Sequence, residues 1–288
     1  MIVEIENFII ESEKDIKYKD EIICNLQDNT QKILDFFELE KLSKKKRIVI
    51  YNSIEKYKLH MEKYVSEYKD WMIGDTYGED INLLSLDEVK KLESHKNFTM
   101  ESFMKGILHE FVHVCQREYG KNERELLWFW EALAVNLSGQ PNKTISLANC
   151  DFTLLKKDFN NVIGNYSYAY ELGKYILEEY SHEEVIEFIK KPDLLKNIEY
   201  KIFENALERQ KVKQEKLRKL YNARNRLYYK RKGLTDSAEK DVVNEEIIKV
   251  TGKIKMVKKE IEMCDEVEEN VGKMKEDIKQ VEGKEQEK

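Results

Sequence analysis

The stretch His109-Glu110-Phe111-Val112-His113 sets two imidazoles four residues apart, with a carboxylate directly after the first. On a helix, residues four apart stand one turn apart on the same face, so both rings can aim a nitrogen at a single ion. Glu110 then lies beside that ion without ligating it, where its carboxylate can serve as a general base. A third donor, Glu131, follows His113 by eighteen positions in RELLWFWEALAVNLSG, far enough for a turn and an antiparallel return. Two imidazoles and one carboxylate leave one position of a tetrahedral ion open to water, the arrangement of a catalytic rather than a structural zinc site. The expected metal is therefore Zn2+, held by His109, His113 and Glu131. Trp128, Phe129 and Trp130 surround Glu131 in the chain. Aromatic residues at helical spacing are expected mainly as core.

These residues need helices to hold them. Thr99 can cap a helix that runs through MESFMKGILHEFVHVCQREY and stops at Gly120. A second is expected over 123–138, ended by Gly139 with Pro141 beyond, then a loop over 139–164. Helices over 165–180 and 182–190 follow, the latter stopping before Pro192. Upstream, 4–11 and 46–52 are β-branched runs that predict short strands flanking a helix near 15–41. A third strand is expected over 80–86, after the Gly-containing loop 73–79. The fold class is α+β, mostly α, with a small mixed sheet beside a helical region.

At 288 residues the chain exceeds one ordinary domain, and its two parts differ in charge. Residues 1–200 carry 27 Lys+Arg against 37 Asp+Glu, and 201–288 carry 23 against 19, giving −10 and +4. We expect a globular domain over 1–192 and a helical appendage over 193–288. From 193 the chain meets no helix breaker until Gly233, and a second long helix is expected from Thr235 or Asp236, with Glu239 completing a capping box. Ile247, Val250, Ile254, Val257, Ile261 and Cys264 alternate in steps of three and four, the seam of a coiled coil. An extra three-residue step to Val267 predicts local overwinding before Val271, Met274, Ile278 and Val281 resume the alternation. The two helices should form an antiparallel hairpin. Its first arm, 209–232, holds eleven Lys+Arg and one acid, and 260–270 holds six acids and no base. The basic arm could bind nucleic-acid phosphates, but pairing of these two stretches with each other is the stronger expectation, with a protein partner for the hairpin rather than nucleic acid.

Cys24, Cys115, Cys150 and Cys264 are widely spaced and predict no disulfide framework. The acidic N-terminal residues are unlike a secretory signal, and no run of 18 apolar residues occurs, so a cytoplasmic protein without a membrane span is expected. His60, His95 and His182 are expected at the surface, and Cys115 as a small core residue.

HEFVHVCQREYGKNERELLWFWEALAVNLSG resembles the core of the gluzincin metallopeptidases, above all the peptidase-MA-like group, whose pattern is H-E-x-x-H followed by W-x-x-E-G-x-A. Ala132 stands where that group usually has Gly. YSYAYELGKYILEEYSHEEVIEFIKK resembles the segment that closes the family's domain, so the likeness spans roughly 1–192. It implies a zincin-like fold and zinc-dependent hydrolysis of a peptide or protein substrate. It also implies an oxyanion-binding tyrosine, Tyr166, with Tyr168 and Tyr170 as rivals, and an edge strand at 80–86 along which an extended peptide pairs. The stretch LYNARNRLYYKRKGLTDSAEK and its continuation resemble hairpin tails of relaxases and mobilisation proteins of bacterial mobile elements, which implies a shared genomic context or a shared docking module and no DNA nicking. Two other functions fit the same residues: a catalytically silent zincin-fold scaffold working through its hairpin, and an ImmA/IrrE-like peptidase cleaving one regulatory protein of a mobile element. Glu110 favours an enzyme, since a scaffold has no need of a base beside a metal.

Overall fold

The computed structural model describes residues 1–77, 80–119, 126–140, 142 and 144–261, without the side chains of 259–261. The chain divides into two compact units, one of Met1–Asn142 with Asp151–Tyr200, the other of the segment ending at Cys150 with the chain from Lys201 onward. The expected division at 192 falls at the start of a long helix whose first residues belong to the first unit.

The first unit is mostly helical around a small mixed sheet. In chain order its elements begin β1 (Ile2–Glu4), β2 (Phe8–Ser12), α1 (Lys19–Phe36), β3 (Lys46–Tyr51), α2 (Ile54–Met61), β4 (Gly74–Asp75), β5 (Ile81–Leu84) and α3 (Leu86–Val89). They continue with α4 (Met100–Glu118), α5 (Leu127–Leu137), α6 (Phe152–Lys157), α7 (Asn165–Glu179) and α8 (His182–Lys190). The strands lie in the order β1-β2-β3-β5-β4, with β2, β3 and β5 parallel and the two outer strands antiparallel to their neighbours.

Two expectations about strands are corrected. The run 4–11 is not one strand, because Ile5 and Phe8 exchange backbone hydrogen bonds around Glu6-Asn7 and fold it into a hairpin. The strand at 81–84 is not an edge, because the two residues of β4 pair with it on the outside. The expected loop over 139–164 also contains α6, capped by the Asp151 side chain, which accepts from the Leu154 N–H.

Alternation in β5 divides the core between the two faces of the sheet. Leu84 joins Tyr57, Met61, Val89 and Leu92 in a cluster on one face. Leu83 faces α4 on the other, where Phe8 of β2 meets Phe111 edge-on at 5.1 Å. α5 and α7 pack closely against each other. A Cβ on Gly173 would lie 2.5 Å from the Ala132 carbonyl oxygen and 2.4 Å from Asn136 Nδ2, so only glycine fits there. Asn136 Nδ2 crosses this contact, donating to the carbonyls of Ala132 and Tyr170. Trp128, fully buried, stacks edge-on to Phe152 of α6 and directs its Nε1–H to Glu199, which is also paired with Lys156.

The long helices are α9 (Pro192–Gly233) and α10 (Ser237–Ile261). In the second unit Leu217 of α9 and Ile254 and Val257 of α10 form one buried cluster, with Leu220, Tyr221 and Val250 packed against it. Asp236 caps α10, its carboxylate accepting from the Glu239 N–H at 2.9 Å. The expected seam positions from Cys264 to Val281 lie outside the described residues, as do Gly120 and Pro141. Among the described residues no helix is long and apolar enough to cross a membrane, and Cys24 and Cys115 are free thiols.

Candidate metal centre

The Thr99 hydroxyl accepts from the Ser102 N–H and sets the start of α4, which keeps one register to Glu118. That register places His109 and His113 one turn apart, their rings 4.8 Å between centroids and both buried. The two Nε2 atoms converge to 3.1 Å. Glu131 enters from α5, its Oε2 3.2 Å from His109 Nε2 and its Oε1 3.5 Å from His113 Nε2. The three side chains form a buried group whose donor atoms all lie within 4.8 Å of one another and which can bind a metal ion.

The chemistry of this donor set calls for a cation. Two imidazole nitrogens cannot satisfy each other at 3.1 Å without a proton or an ion between them. Glu131 Oε2 is buried and accepts no hydrogen bond. Burial disfavours protonated His113, but the Glu131 carboxylate outweighs it and raises the imidazole to about 9. Burial likewise opposes ionised Glu131, yet His113 and His109 hold its carboxyl far below the usual range.

Gln116 orients the pair from one turn further along α4. His113 Nδ1–H donates to Gln116 Oε1 at 2.8 Å, and Gln116 Nε2–H donates to the Trp130 carbonyl of α5 at 3.0 Å. This relay fixes the tautomer that turns His113 Nε2 toward Glu131 and ties the two ligand helices together. Sequence reasoning missed Gln116, although its spacing of three from His113 on a helix was available.

Glu110 lines a cleft of about 660 Å³ whose wall also includes Ile73, Gly74, Leu83, Phe103 and Tyr166. Its Oε1 would lie 3.1 Å from a Cβ on Gly74, so the β4 backbone can approach the carboxylate closely because residue 74 has no side chain. Burial lifts the Glu110 carboxyl above its usual range, against the two imidazoles and with help from Glu131 and Asp75. A second cavity of about 210 Å³ shares Gly74, His109, Glu110 and Tyr166 with the cleft and adds His113, Glu131, Tyr77 and Arg117.

Tyr166, at the start of α7, lies with its ring 6.3 Å from that of His109 and edge-on to Phe159. Burial, with Glu131 and Glu110 close by, pushes its phenol well above the ordinary value and keeps it a proton donor. Of its two rivals, Tyr168 is buried in the core and Tyr170 lines neither cavity.

Trp128, Phe129 and Trp130 are core residues, each at most 2% exposed, and Trp130 also borders the smaller cavity. His60 is not a free surface residue: its Nε2 lies 3.2 Å from Asp75 Oδ1. Asp75 also accepts from the Tyr57 hydroxyl, Asn82 Nδ2 and the Tyr77 N–H, so a buried carboxylate anchors β4 beside Glu110. Arg117 of α4 adds bonds to the Thr76 carbonyl and hydroxyl. Tyr77, Asp75 and Arg117 carry no sequence signal, because only the packing of β4 and the residues after it against α4 brings them to the site. His95 lines the outer cleft, and His182 bonds the Phe36 carbonyl. Cys115 is fully buried, which raises its thiol far above the ordinary value and leaves it inert. No protein-family model, curated protein or solved structure matches the chain.

Proposed function

We propose that the chain is a zinc-dependent peptidase, with His109, His113 and Glu131 as the metal ligands and Glu110 as general base. The carrying observation is the convergence of the donors: the Nε2 atoms of His109 and His113 lie 3.1 Å apart, with one Glu131 carboxylate oxygen 3.2 Å from the first and the other 3.5 Å from the second. Tetrahedral ligands at the usual 2.0–2.1 Å from zinc stand about 3.3 Å apart, a spacing close to these three contacts. Harder ions such as magnesium and calcium favour all-oxygen shells, which two imidazoles do not supply. When bound, the metal would supply Lewis acidity toward a water and a substrate carbonyl.

The chain's own groups do the rest. Glu110 takes a proton from the attacking water and passes it to the leaving amine, a task suited to a buried carboxyl whose proton affinity is raised. The Tyr166 hydroxyl donates to the carbonyl oxygen as negative charge develops there. The free edge of β4 lies along the cleft and supports an extended peptide pairing through backbone hydrogen bonds. A sheet above two ligand helices supports a zincin-like domain, and the free thiols of Cys24 and Cys115 support a reducing, cytoplasmic location.

The buried cluster of Leu217, Ile254 and Val257 supports α9 and α10 as an antiparallel hairpin, since these residues lie nearly equidistant from the turn between the helices. Such a hairpin would dock a partner while leaving the cleft to a peptide or protein substrate. Elemental analysis tests the metal: we expect one zinc per chain, lost in His113→Ala and Glu131→Ala and kept in Glu110→Gln. Undiminished zinc in Glu131→Ala would remove that residue from the ligand set.

A further inference from the structure

Gly106 stands in the interior of α4, and no contact calls for a glycine there. A Cβ on Gly173 would strike the α5 backbone, whereas a Cβ on Gly106 meets no atom within 4 Å. Glycine weakens a helix interior relative to alanine, so this position gives up stability and gains only room. Phe103, Gly106 and Glu110 follow one another at helical steps of three and four and so share one face of α4. All three line the cleft of about 660 Å³. The gap therefore opens between the Phe103 ring and the Glu110 carboxyl, one turn from the proposed ligand His109.

Much of the wall around this gap is apolar. Met72 and Ile73 precede β4, Leu83 comes from β5, and Phe98 stands just before α4. Met72, Ile73 and Phe98 also pack against the cluster of Tyr57, Leu84 and Val89, which holds this part of the wall in place. The turn before α7 adds neutral carboxamides. Asn161 Nδ2 donates to Asp158 and Asn165 Nδ2 to the Phe159 carbonyl, while Asn160 borders both the cleft and the smaller cavity. Among the described residues that line the cleft, Glu110 is the one carboxylate, and there is no Lys, Arg or Asp. Burial lowers the His95 imidazole, which adds no cation at neutral pH. A charged side chain entering the gap would lose its water without gaining a counter-ion, since Glu110 is committed to proton transfer. Trp71, 40% exposed, and Ile163, 95% exposed, also line the cleft, so an apolar segment seated there would take their surface out of water as well.

We propose that the gap at Gly106 is a subsite for a large apolar side chain, aromatic or long aliphatic, on the substrate residue next to the scissile bond. The subsite rests on the peptidase reading of this cleft and gives it a substrate class: polypeptide segments that carry such residues and pair along β4 through their backbone. The absent side chain of Gly106 sets how large a group enters, and burial of apolar surface drives its binding.

Hydroxamates chelate zinc whatever their side chain, so they read the gap without turnover. The test is calorimetric titration of the zinc-loaded full chain with acetohydroxamic acid, 3-phenylpropionohydroxamic acid and the cationic 3-aminopropionohydroxamic acid. Wild type should bind the phenyl compound roughly tenfold or more tightly than acetohydroxamic acid, and the cationic compound no more tightly than acetohydroxamic acid. In Gly106→Leu the phenyl preference should fall close to one, and in Gly106→Ala, which suits a helix better than glycine, it should fall part of the way. A preference near one in wild type would overturn the subsite and leave the metal centre standing. So would an unchanged preference in Gly106→Leu, or tightest binding of the cationic compound. Zinc-loaded wild type that binds none of the three would overturn the peptidase reading and the subsite with it.

Discussion

Tyr166 and Glu110 reach the same cleft from different helices, and the account assigns them separable tasks. Tyr166→Phe removes one hydroxyl donor and leaves every proposed ligand in place. Turnover of a cleaved peptide should therefore show kcat lowered by about one to three decades with zinc content unchanged. A loss confined to KM would mean that the hydroxyl binds substrate without stabilising the transition state. At this scale the proposed ligands were legible because helical spacing alone brings His109 and His113 together, and Glu131 lies one turn-and-return away. Gln116, Asp75 and Tyr77 were not read from the sequence. Asp75 works through Tyr57 and Asn82 on other elements, Tyr77 stacks on Tyr64, and nothing in their local spacing marks them.

At the scale of elements, two glycines in helices should respond oppositely to alanine. At Gly173 the new methyl group meets the backbone of α5, which cannot move aside as a side-chain end can, so Gly173→Ala should cost about 1–3 kcal/mol of stability. At Gly106 in α4 a Cβ meets nothing within 4 Å, so Gly106→Ala should gain roughly 0.5–1 kcal/mol through the unfolded chain and helix propensity. Urea midpoints at matched zinc content check both signs, and stabilisation by Gly173→Ala would contradict the close α5–α7 approach. Capping residues made two helix starts legible: Thr99 caps α4 and Asp236 caps α10. The edge strand was not legible, because two residues of a Gly-containing loop become β4 only through pairing with β5.

At the scale of the whole molecule, the charge difference between the two halves was legible in composition, but the start of α9 belongs with the first unit. Leu195 is fully buried, and Glu199 accepts from the buried Trp128 indole N–H. A chain ending at residue 192 would strand that indole donor, at a cost of about 1–3 kcal/mol for the unsatisfied group alone. It should melt at lower temperature and hold zinc less well than a chain ending at 212, which keeps Glu199 and also Gln210, the partner of the Ile145 and Leu147 backbone. Equal melting temperatures for the two truncations would show that α9 contributes nothing to the first unit.

The central claim is that a base beside a metal drives hydrolysis, and Glu110→Gln isolates it. The substitution is nearly isosteric and spares all three proposed ligands, so fold and zinc content should match wild type. A neutral amide cannot accept the proton from the attacking water, and loss of a general base is commonly worth about 10²–10⁴ in rate. The measurement is turnover of a quenched peptide library by the two proteins at matched zinc content. Wild type should cleave the library and Glu110→Gln should lose nearly all turnover; equal turnover by both would overturn the general-base role of Glu110.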